Sequence, residues 1–171
     1  MKDSLHLRAP EPDDLDVLYR WENDAAQWDN SLSAAMTSRF MLYNFLENYT
    51  DNIAANGQVR FMIDVEDGDD IRTIGTVDLC DYVARDRRAF VSIYIDAPYR
   101  GLGLGSAAIA AVKNVALHCY SLYQLTAIVA ADNQTSLHVF ENENFTRAGV
   151  IKQWLARGHE RVDAVLMQCI L

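Results

Sequence analysis

The chain has 171 residues, half of them hydrophobic, and a formal net charge of −9. That length suits one domain spanning residues 1–171, and no apolar run approaches the roughly 20 residues needed to cross a bilayer. The acidic balance argues against a surface that grips a phosphate backbone, so neither nucleic acid nor a membrane is expected as a partner. It favours a cationic acceptor instead. Met1-Lys2-Asp3-Ser4 leads straight into an alternating segment rather than a signal-peptide core, so a cytoplasmic location is expected.

Leu5-His6-Leu7-Arg8 alternates like a short strand, and Glu11-Pro12-Asp13-Asp14 reads as a helix start with acids in its first turn. Leu15, Leu18, Tyr19 and Glu22 follow helical spacing. A second helix is expected over residues 37–52, with Met41, Phe45 and Tyr49 on one face and Leu42 and Leu46 beside them. The period then changes. Val59, Phe61, Ile63 and Val65 alternate with Arg60, Met62, Asp64 and Glu66, which predicts a strand. Turns at residues 67–70 and 86–88 connect it to strands over residues 71–81 and 90–95, giving three successive antiparallel strands. A helix over residues 105–120 follows, with Ile109, Val112 and Cys119 on one face. Next come a buried strand over residues 125–130 and a helix from Asn133 to Asn142. A final hairpin joins residues 147–156 to residues 161–171. The fold class is α/β (α+β), a mixed sheet of about seven strands with helices on both faces.

The segment from Ile95 to Ser106 carries the chemistry. A strand runs into Arg100-Gly101-Leu102-Gly103-Leu104-Gly105 and then directly into a helix. Successive backbone N–H groups at a helix N-terminus can hold an anion, and glycine lets a phosphate approach where a Cβ would obstruct it. Arg100 adds a positive charge at the mouth. A Walker A loop would need Lys after the last glycine. A dinucleotide fingerprint would need the first strand of a βαβ unit, whereas three antiparallel strands come first here. Cys80, Cys119 and Cys169 show no Cys-x-x-Cys spacing, so no metal site is expected and the thiols read as small buried hydrophobes.

Arg100, Gly103 and Gly105 match Gln/Arg-x-x-Gly-x-Gly/Ala, and on this motif the chain resembles the GNAT superfamily of N-acetyltransferases. Trp21-Glu22-Asn23-Asp24 is similar to the acceptor-side segment of the ribosomal-protein and polyamine acetyltransferase branch. Asn133-Gln134-Thr135-Ser136 with Phe140 and Phe145 is similar to that family's Asn-x-x-Ser helix. The resemblance implies that strands 90–95 and 125–130 splay apart and that acetyl-CoA lies between them as acyl donor. Its pantetheine arm would follow the backbone of Ile93, Tyr94 and Ile95. The pyrophosphate would sit on Gly101, Leu102, Gly103, Leu104, Gly105 and Ser106 beside Arg100. Asn133, Ser136 and Phe140 would flank the arm, although Asn133 also reads as a plain helix N-cap.

The superfamily's usual acid is a tyrosine where this chain has Phe140, and a phenyl ring donates no proton. Ser136, Tyr94 and His138 are the alternatives, unless solvent protonates the thiolate. For the base, Asp78 is the candidate, and with Asp81, Trp21 and Trp28 it forms the expected acceptor pocket. Asp78 and Asp81 are three apart and would face opposite sides of a regular strand. An acid often seen in that branch just before Phe90 is Ala89 here. The acceptor expected is a small primary amine such as a diamine or polyamine. The alternatives are a protein N-terminus and, in another class, a non-catalytic acyl-CoA-sensing module. A homodimer through the final strands is expected on the resemblance.

Overall fold

A computed structural model describes residues 4–24 and 36–171. Seven strands form one sheet, β1 (Leu5–Arg8), β2 (Val59–Asp67), β3 (Asp70–Val83), β4 (Arg88–Ile95), β5 (Gln124–Ala130), β6 (Thr146–Arg157) and β7 (Glu160–Ile170), in the order β1-β2-β3-β4-β5-β7-β6. All neighbours run antiparallel except β4 and β5. The helices are α1 (Leu15–Glu22), α2 (Arg39–Glu47), α3 (Ile53–Asn56), α4 (Leu104–His118) and α5 (Gln134–Asn142).

The alternation along β2 divides two cores. Val59 and Ile63 join Val77, Leu79, Val91 and Leu125 on the face that α4 covers with Ile109 and Val112 and α5 with Leu137 and Phe140. On the opposite face Met62, fully buried, meets Leu18 and Trp21 of α1 and Leu42 and Leu46 of α2. Each such side chain contributes about 1.5–3 kcal/mol when fully buried. The two cores fix β2–β4 between helical layers and so place β4, which carries the site, at the centre of the molecule.

The ends of β1 and β2 are tied by ions. Arg8 donates to both oxygens of Asp14 (2.7 and 2.8 Å) and through Nε to Asp64 (2.7 Å). Both carboxylates are buried, at 5% and 4% exposure, so neither tolerates loss of its partner.

Three local expectations are corrected. Residues 37–52 are not one helix: Ser38 caps α2, which ends at Glu47, and Asn52 caps the separate turn α3, closed by Gly57 at φ 71°. Asn48, at the C-terminus of α2, donates to the Asn44 carbonyl (2.8 Å) and Asn52 accepts from the Ala55 amide (3.1 Å), and these local bonds break the helix there. Within α2 it is Leu42 and Leu46 that enter the core, whereas Met41 is 62% exposed. Cys119 caps α4 in an exposed position rather than packing inward. Ala89 is fully buried under α4, so an acid at that position would face the core and not a ligand.

Candidate active site

β4 and β5 pair only through Arg88–Gln124, Ala89–Leu125 and Phe90–Thr126, and beyond Phe90 the parallel strands part. β5 keeps β7 as its partner along its whole length, and β4 keeps β3 up to Ile95. The edge of β4 from Val91 to Ile95 therefore opens onto a wedge. An extended chain can add to such an edge through main-chain hydrogen bonds.

The wedge leads to the glycine turn. Gly101 and Gly103 both have φ 75°, a left-handed conformation that side-chain-bearing residues avoid. A Cβ on Gly101 would meet nothing within 4 Å, so the space above the turn is open. Gly103 is the N-cap of α4, a helix of 15 residues. The amides of Leu104, Gly105 and Ser106 form its first turn, where intrahelical acceptors are lacking and the dipole favours an anion. A Cβ added to Gly105 would stand 3.5 Å from the Val139 methyls of α5, an ordinary contact distance, so α5 lies close to this turn. Arg100 folds back along the strand. Its Nε donates to the Ile95 carbonyl (2.8 Å) and its guanidinium lies 5.7 Å from the Tyr94 ring, so it braces the turn as well as charging it.

A close backbone approach aims this edge. An ideal Cβ on Gly75 of β3 would stand 2.1 Å from the Tyr94 carbonyl oxygen and 3.2 Å from the Ile95 Cα. Only glycine fits there, whatever its φ.

Across the wedge, Asn133 caps α5 by accepting from the Ser136 amide (3.1 Å), and Ser136 is half-buried in the first turn. Phe140 is buried and packs edge-on to Phe145 with centroids 5.0 Å apart. His138 bonds the Gln134 carbonyl through Nδ1 (2.6 Å) on an exposed side of α5.

On the other face of β4 lies a cleft of about 760 Å³ between α1, α2 and β2–β4. Met41, Phe45 and Tyr49, the stripe read from the sequence as one helix face, line it, and Ser92 of β4 closes its far wall. Its floor is ionic. Arg60 donates to both oxygens of Asp78 (2.7 and 3.2 Å) and to Glu22 of α1 (2.8 Å), and its guanidinium lies 5.7 Å from the Phe45 ring. Burial disfavours the Arg60 charge, but Asp78 and then Glu22 outweigh it, and the guanidinium pKa is raised above its ordinary value. Burial also pushes the Cys80 thiol up to about 11 and the Tyr49 hydroxyl up to about 12. Asn23 shapes the mouth: it donates to and accepts from the backbone of Thr37, at 2.9 and 3.0 Å, joining the end of α1 to the start of α2. A smaller hollow of about 210 Å³ at Pro12, Leu15 and Tyr43 takes no lining from β4.

The structure thus brings Asp78 into the cleft and leaves Asp81 outside its lining. Asp81 sits exposed at a bulge after Cys80 with φ 49°, which breaks the alternation assumed for the strand. Trp21 is buried in the α1–α2 core, 5.3 Å from the Tyr94 ring, rather than on the cleft wall. Trp28 lies outside the described residues. Burial first, then Asp96, raise the Tyr94 pKa, partly countered by Arg100, so its hydroxyl stays protonated at neutral pH. Arg60 and Ser92 escaped the sequence reading, and Glu22 entered it only as part of the acceptor-side segment. Arg60 alternates with Phe61 as a polar strand residue, and only the register Arg60–Asp78–Ser92 reveals that the three share a row.

A split sheet whose open strand feeds a glycine turn at a helix N-terminus, beside a cleft with carboxylates, defines an acyl-CoA-dependent N-acetyltransferase. The chain belongs to the acetyltransferase (GNAT) domain family, whose model matches residues 4–146. It is 26% identical to the spermidine N(1)-acetyltransferase of Escherichia coli K12 over 98% of this chain and 86% of that protein. The spermidine N-acetyltransferase of Vibrio cholerae, solved with CoA and spermine, superposes with a TM-score of 0.87 at 21% identity, covering 98% of this chain and 96% of that one. A ribosomal-protein alpha-N-protein acetyltransferase (RimL) in complex with CoA superposes at 0.85 with 17% identity, covering 98% and 94%.

Proposed function

We propose that this enzyme transfers acetyl from acetyl-CoA to a small primary amine, of the diamine or polyamine kind. The observation that carries this is the position of β4: its edge faces the wedge, while Ser92 on its face lines the ionic cleft. Donor and acceptor would therefore meet across one strand. The spermidine acetyltransferases among its relatives support a cationic acceptor.

Acetyl-CoA supplies the acetyl group as a thioester. The backbone of Ile93, Tyr94 and Ile95 orients the arm, and Gly101, Leu102, Gly103, Leu104, Gly105, Ser106 and Arg100 hold the pyrophosphate. Asn133 and Ser136 flank the arm from α5, with Phe140 behind them. In the transfer the amine nitrogen bonds the acetyl carbon, the C–S bond breaks, and the proton lost by the nitrogen ends on the departing sulfur. With Phe140 at the usual acid position, solvent delivers that proton unless Ser136 or the protonated Tyr94 does. Asp78 is better suited to holding a cation than to taking a proton, since protonation would break a charge-assisted bond to Arg60. The amine then loses its proton to water before attack.

Incubation with acetyl-CoA and a panel of diamines, polyamines, aminoglycosides and N-terminal peptides, read by thiol release and product mass, tests the assignment. Turnover with amines supports it. Turnover with peptides alone indicates a protein N-terminal acetyltransferase, and binding without turnover an acyl-CoA sensor.

A further inference from the structure

We infer that Arg60 sets the charge, and hence the class, of the acceptor: the cleft selects a linear diamine over monoamines and over longer polyamines. This rests on the small-amine reading above and sharpens it. Among the described residues that line the cleft, the ionised groups are Glu22, Asp78 and Arg60. Two carboxylates and one guanidinium leave one net negative charge. Cys80 and Tyr49 add none at neutral pH. Asp81 and Asp51 are felt at Cys80 and Tyr49 but stand outside the lining in exposed positions, where water and salt weaken them.

The trio is rigid. Arg60 is chelated by Asp78, held by Glu22 and stacked near Phe45, and its backbone carbonyl accepts from the Tyr49 hydroxyl (2.7 Å). It is also reachable, because the three side chains are 22–33% exposed toward the cleft. A bound acceptor must present one neutral amine for attack, so its remaining positive charges are what the cleft matches. A diamine keeps one, which balances the floor. A monoamine keeps none and leaves the negative charge unmatched. A triamine keeps two and brings one against Arg60 without a counter-charge. At partly buried separations of a few ångströms an unmatched unit charge changes binding by about tenfold or more.

The test is a charge series read as relative kcat/KM for a linear monoamine, diamine, triamine and tetraamine of matched spacing. The wild type should prefer the diamine. Arg60→Gln raises the floor to two negative charges and should shift the preference at least about tenfold toward the triamine. Asp78→Asn brings the floor to zero and should shift it toward the monoamine. The double variant Arg60→Gln/Asp78→Asn restores one negative charge and should restore the diamine, which a purely structural role for Arg60 would not produce. Should Arg60→Gln fail to fold, Asp78→Asn and the double variant still decide the matter. Preference ratios that stay fixed across the series, or a wild type that favours the tetraamine, overturn the inference. Acetylation of no amine by any of these proteins would instead remove the small-amine reading beneath it.

Discussion

Replacing Gly75 with alanine should damage the protein more than a single methyl group ordinarily does. The new Cβ would lie 2.1 Å from the Tyr94 carbonyl oxygen and 3.1 Å from its carbon. Carbon–oxygen contacts settle near ~3.3 Å, so β4 must retreat by about 1 Å. Overpacking of this kind costs about 1–3 kcal/mol. In a domain of this size that lowers Tm by about 2–12 °C. The retreat also moves the Ile93–Ile95 edge, and a misplacement of about 1 Å at a reacting geometry costs about tenfold or more in rate. The internal control is Gly149 on β6, where a Cβ would meet nothing within 4 Å and φ is unconstrained, so Gly149→Ala should change stability by less than about 0.5 kcal/mol. Thermal denaturation with and without acetyl-CoA, alongside initial rates, reads both effects. Equal Tm and equal rates for the two alanine variants would refute the claim that Gly75 positions β4.

Arg8→Met strands Asp14 and Asp64 without their guanidinium and should cost about 3–5 kcal/mol by denaturant unfolding. Gly103→Val forces a branched residue into φ 75° at the head of α4 and should abolish the rise in Tm that acetyl-CoA gives the wild type, with the fold retained by circular dichroism. Ser136→Ala should slow kcat less than about tenfold if solvent protonates the leaving thiolate, and a thousandfold loss with intact acetyl-CoA binding would identify Ser136 as the acid. Cys80 should resist alkylation at pH 8. Raising its pKa from 9.0 to about 11 lowers the thiolate fraction from about one in ten to about one in a thousand, so its reaction rate should climb as pH approaches 11.

Much of this was legible in the residues. The alternation of Val59, Phe61 and Ile63 with Arg60 and Met62 announced β2, and the spaced glycines announced the turn that opens α4. Local patterns carry such information because side-chain period and backbone permissiveness act over a few residues. The ionic cleft was less legible, since it depends on strand register. Asp78 matters through Arg60, its partner across the β2–β3 ladder, and through Glu22 on a different element. Trp21 has the composition of a pocket wall yet fills the core, because α1 turns it toward Met62 and Leu42. Gly75 offered no signal at all. Its φ is ordinary, and its necessity comes from a carbonyl on the neighbouring strand.

The most direct measurement is a crystal structure of the protein grown with CoA. The account predicts the pantetheine arm in the wedge between β4 and β5, hydrogen-bonded along Val91–Ile95, with the pyrophosphate on the amides that follow Gly101. An arm bound elsewhere, or a wedge closed by β4 pairing with β5 beyond Phe90, would contradict it.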